Sequence, residues 1–340
     1  MSYDSAAARR IGRRDLAVSQ LGVGTAPFGS LAAGDTDASV RGTFDALYGA
    51  GLRYFDTAPF YGLGLAEHRL GMCLRGVDRR TLSVSSKVGR LMRPKGDGVV
   101  AGASGGAYPF EVAFDYSYDG ALRSLDCTLQ RLGTNRIDIA LLHDVNRRWQ
   151  GDLVEQRYRE AMDGAYRALV ELRDARVIKA IGVGVNDWEI LLRFARDGDF
   201  DCFMLAGRYT LLDHTALGRF MPDCERRGIS VLMAAPFNSG ILATGARPGA
   251  TFFYVEADTE IMTRTRAIEA VCARHGVDLA AAALQFPLAH PAVASVVTGM
   301  RSAAEAAQNL AHMRAAIPVD FWRELKHERL IDEAAPMPST

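Results

Sequence analysis

The sequence has no excess of charge of either sign. Lysine and arginine together number 40, aspartate and glutamate also number 40, and the formal net charge at pH 7 is zero. A protein that binds nucleic acid or an anionic membrane through its overall charge carries a basic excess. The composition therefore predicts neither nucleic acid nor a membrane as partner, and it favours a small molecule.

Cysteine is scarce, and long apolar runs are missing. The five cysteines are odd in number and widely spaced, with no C-x-x-C pair, which argues against a disulfide framework or a zinc site. No segment approaches the ~18 apolar residues of a membrane span, and the first residues form no apolar signal region. The sequence thus predicts a soluble, untargeted, metal-free protein of the cytoplasm, as a monomer or homodimer.

Short apolar segments rich in Val, Ile or Phe recur along the chain and predict buried strands. Segments with helical periodicity lie between most of them and are long enough to connect parallel neighbours. Eight β–α units of this kind predict an α/β fold, a single (β/α)8 TIM barrel domain over residues 1–340, with an N-terminal hairpin within 10–18 and C-terminal helices near 302–314 and 319–330. The predicted strands cover residues 19–26, 52–56, 81–87, 136–143, 178–186, 200–206, 230–237 and 294–299.

An open, doubly wound sheet would show the same alternation of strands and helices. The glycines after the first strand, Gly22, Gly24 and Gly29, do not have the G-x-G-x-x-G spacing of a dinucleotide-binding Rossmann fold. The barrel is therefore the preferred interpretation.

Two long stretches do not resemble regular elements. Residues 90–118 are rich in glycine and longer than an ordinary connection in a barrel. We interpret them as a mobile active-site loop, with a disordered surface excursion as an equal alternative. Residues 238–257 follow the seventh strand, and we interpret them as a flap over a ligand.

Four polar residues lie where short apolar runs end: Asp56, Tyr61, Lys87 and His143. Singly, each is a weak signal, but together they supply a proton donor, a cation, a carboxylate and an imidazole. Functional groups of a barrel lie at the carboxyl ends of its strands. We therefore expect these side chains to meet on one rim, together with Asn186.

We expect Lys87 to adjust the acidity of Tyr61. An ammonium about 4 Å from a phenolate contributes ~4 kcal/mol at an effective dielectric constant of 20. This energy corresponds to about three pKa units before burial acts in the opposite direction. The prediction is a Tyr61 that exchanges a proton near neutrality, a Lys87 kept charged by Asp56, and a neutral His143 that donates to a substrate oxygen.

The same segments resemble the aldo-keto reductase superfamily over nearly the whole chain. By this resemblance, Asp56, Tyr61, Lys87 and His143 match the catalytic tetrad of an enzyme that binds a nicotinamide cofactor without a Rossmann domain. The segments that carry it are 55–62 (Phe-Asp-Thr-Ala-Pro-Phe-Tyr-Gly), 85–87 (Ser-Ser-Lys), 141–144 (Leu-Leu-His-Asp) and 181–186 (Ile-Gly-Val-Gly-Val-Asn).

The resemblance also implies where the cofactor lies. Asn186 aligns with a residue that holds the carboxamide, residues 237–242 with a loop along the pyrophosphate, and residues 299–309 with a segment that grips the adenosine end. The implied contact residues are Asn186, Phe237, Asn238, Ser239, Gly240, Leu242, Gly299, Arg301, Glu305, Gln308 and Asn309.

The chain departs from the family pattern at several of these positions. Ala206 stands where many members have Gln, and Ala234 or Ala235 replaces an aromatic residue that often stacks on the nicotinamide. Glu305 lies near the position of an Arg that pairs with the 2′-phosphate of NADP. Because a carboxylate repels that phosphate, we expect NAD, with NADP as the alternative that the nearby Arg301 supports.

A narrower resemblance, carried by residues 114–120, 201–212 and 235–240, is to the aldose 1-dehydrogenase branch. That branch includes D-threo-aldose, L-fucose and L-galactose dehydrogenases, with pyridoxal 4-dehydrogenase nearby. It implies NAD(P)-dependent oxidation of the anomeric C1 hydroxyl of an aldose of the L-fucose, L-galactose or D-arabinose type to the lactone, with Tyr61 as acid and base. The alternatives are a pyridoxal or small-aldehyde oxidoreductase and a non-catalytic nucleotide-sensing subunit. The predicted substrate contacts are Phe28, Phe60, Tyr116 and Trp149.

Overall fold

A closed barrel of eight parallel strands forms the centre of the molecule. The computed structural model describes residues 3–95 and 108–338. The strands in chain order are β1 (Ala8–Arg10), β2 (Ala17–Ser19), β3 (Leu21–Gly24), β4 (Tyr54–Asp56), β5 (Ser83–Val88), β6 (Arg90–Pro94), β7 (Phe110–Phe114), β8 (Ile139–His143), β9 (Ala180–Val185), β10 (Cys202–Ala206), β11 (Ser230–Ala234), β12 (Thr251–Phe252), β13 (Val255–Glu256) and β14 (Val293–Gly299).

Around the barrel the strands follow the order β3, β4, β5, β8, β9, β10, β11, β14 and back to β3. Every neighbouring pair is parallel, so all eight carboxyl ends open on one rim. The predicted barrel is confirmed, and each predicted strand overlaps an observed one; β5 and β14 each extend one residue beyond the predicted bounds. The seventh strand ends three residues earlier than predicted because Ala235 adopts a left-handed conformation with φ +53°, which no extended strand can continue.

Helices cover the outside of the barrel. None in the described part of the chain is long and apolar enough to cross a bilayer. The helices are α1 (Asp37–Gly49), α2 (Leu65–Leu74), α3 (Tyr118–Leu132), α4 (Arg147–Gln150), α5 (Val154–Glu160), α6 (Tyr166–Asp174), α7 (Trp188–Asp197), α8 (Phe220–Arg227), α9 (Ile241–Thr244), α10 (Thr259–His275), α11 (Leu279–Gln285), α12 (Ala303–Arg314) and α13 (Val319–His327).

Helix α3 illustrates how local sequence sets these boundaries. The Ser117 side chain accepts a hydrogen bond from the Gly120 amide at the N-terminus, and Gly133 ends the helix in a left-handed conformation. Between these signals, Leu125 and Leu132 are buried against the core, at the seven-residue spacing of one helix face.

The hairpin of β1 and β2 closes the end of the barrel opposite the rim. Its two strands pair antiparallel, from Ala8 with Ser19 to Arg10 with Ala17. Ile11, Leu16 and Val18 are buried in one cluster with the inward-facing residues at that end of the barrel. The predicted hairpin is present, and it seals the barrel interior from below.

Both stretches predicted to be irregular contain regular elements. Strands β6 and β7 form a five-pair antiparallel hairpin inside 90–118, so the prediction of a loop is wrong for its two arms, whose backbone groups pair with each other. Residues 96–107 lie outside the described residues. The predicted flap 238–257 contains helix α9 and the small hairpin of β12 and β13.

Candidate active site

The rim of the barrel brings the four predicted polar residues together. Asp56 is the last residue of β4, Lys87 the second-last of β5, and His143 the last of β8. Tyr61 lies in the short turn Tyr61–Gly64, which follows β4 and leads into α2. The turn brings Tyr61 back over the end of the strand on which Asp56 lies.

This turn depends on a close approach of two backbone segments. Gly62 has φ +61°, and a Cβ added there would lie 2.4 Å from the carbonyl oxygen of Gly29. Only glycine fits both the left-handed conformation and the short distance. Gly62 therefore fixes the height of the Tyr61 ring above the rim.

Lys87 is almost fully buried and uses all three protons of its ammonium. Nζ donates to Asp56 Oδ2 at 2.7 Å, to the Thr57 carbonyl at 2.9 Å and to Tyr61 Oη at 3.1 Å. An ammonium has three donors and no acceptor. Because Tyr61 Oη accepts from Lys87, its own proton is free for donation into the cavity.

A chain of hydroxyl groups holds the other carboxylate oxygen of Asp56. Ser85 Oγ donates to Asp56 Oδ1 at 2.6 Å, and Tyr54 Oη lies 3.0 Å from Ser85 Oγ. Since the Ser85 proton goes to Asp56, the Tyr54 hydroxyl is the donor to Ser85. Asp56 is thus held from both sides, and its buried charge is compensated by Lys87 and hydrogen bonds.

Burial controls the acidity of Tyr61. It raises the pKa of Tyr61 to about 12, although the neighbouring Lys87 ammonium acts in the opposite direction. The attraction to Lys87 predicted from the sequence is present, but loss of hydration outweighs it in the structure described. Burial also disfavours the charged form of Lys87, but attraction to Asp56 and Tyr61 raises its pKa overall. At neutral pH the pair is a protonated tyrosine beside an ammonium.

His143 is held as a neutral imidazole. Burial, with the positive charges of Arg90 and Lys87, lowers the pKa of His143 well below its ordinary value. Its backbone carbonyl accepts a hydrogen bond of 2.6 Å from Tyr116 Oη, and its ring lies edge-on to that of Tyr61, with centroids 6.4 Å apart. A neutral imidazole beside Tyr61 can donate a hydrogen bond without competing as the acid, as expected from the sequence.

A cavity of about 620 Å³ opens above these residues. Of the four predicted substrate contacts, Phe60 and Trp149 line it. Phe28 and Tyr116 do not, because both rings are completely buried in the core, and the Tyr116 hydroxyl is directed to the backbone of His143. The prediction that Phe28 and Tyr116 contact a substrate is therefore wrong for this cavity.

One side of the cavity has features that fit a nicotinamide. Asn186 Oδ1 accepts a hydrogen bond of 2.8 Å from Asn146 Nδ2, which leaves the Asn186 amide protons for a ligand carbonyl. The small residues Ala206, Ala234 and Gly299 line the same cavity, which leaves room for a planar ring. The residues present thus fit a nicotinamide group, held through Asn186.

The loop predicted to follow the pyrophosphate turns most of its side chains inward. Asn238 donates to the Gly207 carbonyl and accepts from Thr210 Oγ1, Leu242 is completely buried, and Phe237 packs on the core. Asn238 and Leu242 are therefore too deeply buried to contact a cofactor through their side chains in this conformation. Contacts from 237–242 would come from the partly exposed Phe237, from the exposed Ser239 or from the backbone near Gly240.

The segment predicted to hold the adenosine end begins at the carboxyl end of β14. Glu305 accepts from the Arg301 amide at 2.8 Å, and Glu305 Oε1 lies 3.5 Å from Arg301 Nε. Both Gln308 and Asn309 lie on α12; Gln308 is exposed, whereas Asn309 is buried. The prediction of a side-chain contact fits Arg301, Glu305 and Gln308 better than Asn309.

Several residues of the site were not found from the sequence. Tyr54 and Ser85 hold Asp56, and Arg90 pairs with Asp144 beside His143. Tyr254, at the tip of the β12–β13 hairpin, also lines the cavity. For Asp144 the available signal was its position directly after His143, at the end of β8.

The rim of the barrel thus brings together a tyrosine, an ammonium, a carboxylate and a neutral imidazole, next to a place for a nicotinamide. This combination is that of a barrel oxidoreductase without a Rossmann domain. A profile of the "Aldo/keto reductase family" matches residues 20–328. The chain belongs to the aldo-keto reductase family, as its sequence predicted, and is an oxidoreductase; members of the family use NAD(P)H.

Individual proteins support the same assignment. Pyridoxal 4-dehydrogenase of Microbacterium luteolum is 41% identical over 334 residues, covering 95% of this chain and 97% of the relative. D-threo-aldose 1-dehydrogenase of a Pseudomonas species is 38% identical over 323 residues, covering 93% and 95%. The holo form of an aldo-keto reductase from Bacillus halodurans superposes with a TM-score of 0.77 at 22% identity, covering 98% of both chains; it supports the fold alone. The predicted branch is confirmed by the two curated relatives.

Proposed function

We propose that this protein oxidises the anomeric C1 hydroxyl of an aldose, of the L-fucose, L-galactose or D-arabinose type, to the lactone with NAD. The observation that carries the proposal is the hydrogen-bond arrangement around Lys87, which leaves one mobile proton at Tyr61 Oη. When bound, the nicotinamide accepts or supplies the hydride. Asp56, Tyr61, Lys87 and His143 would be the catalytic residues.

In this proposal, the reacting oxygen of the sugar lies between Tyr61 Oη and the imidazole of His143. Tyr61 removes the hydroxyl proton during oxidation and returns it during reduction. His143 orients the oxygen as a neutral donor. Lys87 lowers the energy of the phenolate that forms, and Asp56 keeps Lys87 charged and in place.

The curated relatives favour two substrates. The D-threo-aldose enzyme supports the sugar, and the pyridoxal enzyme, at 41% identity, supports pyridoxal as a second candidate. The two substrates are chemically related, because an aldose and pyridoxal each carry an aldehyde that closes on a hydroxyl group of the same molecule to form a cyclic hemiacetal. A site that binds such a hemiacetal and oxidises its carbon to the lactone would suit both.

The preference for NAD is proposed from the charge at the start of α12. Glu305 is engaged with the Arg301 backbone and lies within 3.5 Å of its guanidinium. The 2′-phosphate of NADP would lie against the Glu305 carboxylate and would have to separate Glu305 from Arg301. A ribose hydroxyl could donate to Glu305 instead.

A turnover panel tests the proposal. L-fucose, L-galactose, D-arabinose and pyridoxal are each supplied with NAD or NADP, and the reduced nicotinamide is followed by absorbance. We expect the highest kcat/KM for an aldose with NAD. A higher kcat/KM for pyridoxal would transfer the assignment to the second candidate, and turnover of no aldose would refute the first.

The Tyr61→Phe variant separates catalysis from nucleotide sensing. It should lose turnover by about 100-fold or more while its affinity for NAD, measured by fluorescence quenching, stays unchanged. A sensing subunit would keep its biological activity in this variant.

A further inference from the structure

Next to the tetrad, a second charged pair lies in the cavity wall. A terminal nitrogen of Arg90 donates to Asp144 Oδ2, and the same carboxylate oxygen lies 3.2 Å from His143 Nε2. Lys87 donates its three protons to Asp56, Tyr61 and the Thr57 carbonyl, so it does not pair with Asp144. The tetrad therefore does not explain why Arg90 and Asp144 are paired in the cavity wall.

Arg90 is held in a cage of aromatic rings. Its guanidinium carbon lies 4.2 Å from the ring centroids of both Phe60 and Trp149, and 5.0 Å from that of Phe114. Only 1% of its surface is exposed, and within the described residues its Nε has no hydrogen-bond partner. The cage fixes a buried cation that, among the residues the structure describes, forms an ion pair with Asp144 alone.

The backbone of Asp144 is fixed just as firmly. Its amide donates to the Gly184 carbonyl at 3.0 Å, and its carbonyl accepts from Gln150 Nε2 at 3.0 Å. Asp144 has φ +56°, a left-handed conformation that is unfavourable for a residue with a side chain. Such strain persists only where surrounding contacts impose it, and it accumulates at functional sites.

This geometry leaves one carboxylate oxygen for a ligand. Oδ2 accepts a hydrogen bond from Arg90, whereas no hydrogen bond reaches Oδ1 within the described residues. Asp144 lines the cavity together with Tyr61 and His143. A hydrogen-bond acceptor therefore lies in the wall of the same cavity as Tyr61 and His143, the two groups between which we place the reacting oxygen.

We propose that Asp144, positioned by Arg90, accepts a hydrogen bond from the hydroxyl group on the carbon next to the reacting carbon, and so makes the enzyme selective for 2-hydroxy aldehydes and their cyclic forms. The proposal rests on the proposed function for the identity of the reacting oxygen. It adds a specificity-determining carboxylate outside the tetrad, and Arg90 is its positioning residue.

The test compares substrates that differ only in this hydroxyl. D-arabinose and 2-deoxy-D-ribose form one pair for oxidation, and lactaldehyde and propionaldehyde form another for reduction. A charged hydrogen bond in a buried site should give the hydroxylated member about a 10- to 100-fold higher kcat/KM. The ratio is independent of the amount of folded enzyme, because both substrates are measured on the same preparation.

The Asp144→Asn variant should bring both ratios to within about threefold of unity. Its remaining oxygen still accepts from Arg90, so the amide nitrogen replaces the acceptor offered to the substrate. The double variant Asp144→Asn/Arg90→Gln, which leaves no unpaired buried charge, should lose the ratio in the same way. The control is Asp152→Asn, the same change on an exposed carboxylate nearby that pairs with Arg147, and it should keep the ratio of the unaltered enzyme.

The outcomes separate this inference from the proposed function. If aldoses are not oxidised but the lactaldehyde ratio depends on Asp144, the proposed function fails and the inference holds. If both members of a pair lose activity equally in Asp144→Asn, the residue is only structural and the inference is overturned. A ratio near unity in the unaltered enzyme would overturn it as well.

Discussion

Replacing Lys87 with methionine would remove the cation next to Tyr61 while keeping most of the side-chain volume. At the observed 3.1 Å between Nζ and Oη, the attraction for a phenolate is ~5 kcal/mol at an effective dielectric constant of 20. If about half of this attraction is realised in the transition state, the barrier rises by ~2.5 kcal/mol and kcat falls by about 100-fold.

The assay must distinguish this loss from damage to the fold, because Lys87→Met leaves Asp56 buried without its partner. An unpaired buried charge costs about 3–5 kcal/mol of stability. The double variant Lys87→Met/Asp56→Asn removes both charges, and its thermal unfolding temperature should recover towards that of the unaltered protein. Its kcat for sugar oxidation, measured at saturating substrate and cofactor, should remain low.

The double variant also provides the refutation. If kcat recovers together with the unfolding temperature, Lys87 has only a structural role, and its attraction for the phenolate contributes nothing to the reaction. Recovery of stability without recovery of kcat supports the electrostatic role.

Three further predictions concern pH, the cofactor and the turn that holds Tyr61. Reduction of an aldehyde needs a protonated Tyr61, and the pKa of Tyr61 is raised to about 12, while the pKa of His143 is lowered well below its ordinary value. The kcat/KM for reduction should therefore be constant between about pH 6.5 and 9, whereas the kcat/KM for oxidation should rise with pH. A bell-shaped profile for reduction in this range would contradict both assignments. Glu305→Gln keeps a hydrogen-bond acceptor at the start of α12 but loses the negative charge, so it should raise kcat/KM for NADP relative to NAD by about 10-fold. An unchanged ratio in steady-state assays would show that Glu305 does not determine the choice of cofactor. Gly62→Ala should lower the free energy of unfolding by about 2 kcal/mol or more and reduce kcat. The control is Gly133→Ala, at φ +59° with nothing within 4 Å, which should lower the free energy of unfolding by about 1 kcal/mol. Equal losses in urea unfolding would show that the contact at Gly62 is unimportant.

The barrel and its rim could be predicted from the sequence because they depend on local patterns. Short apolar runs mark the buried strands, and a polar residue at the end of a run lies on the rim in any parallel barrel. Asp56, Lys87 and His143 all follow this rule. The hairpin of β6 and β7 could not be found in this way, since its strands pair with each other and only partly with the core, so they lack a continuous apolar run.

The direction of individual side chains and the balance of charges depended on the packed structure. Phe28 and Tyr116 are as aromatic as Phe60 and Trp149, but only the latter pair faces the cavity. The acidity of Tyr61 is a difference between loss of hydration and attraction to Lys87. Each of these opposing energies amounts to several kcal/mol, and their sum changes sign with the degree of burial, which sequence spacing does not provide.

The hydrogen-bond directions within the site also bear on how Tyr61 loses or regains its proton after each turnover. Ser85 and Lys87 both donate to Asp56. The hydrogen bonds that begin at Tyr54 and at the Lys87 ammonium therefore both end at the Asp56 carboxylate. A relay through Asp56 to Tyr61 would need Asp56 to supply a proton that it does not carry. The barrel end beneath is closed by the buried residues of the β1–β2 hairpin. Tyr61 lines the cavity, so we expect it to exchange its proton on that side, where the substrate would bind.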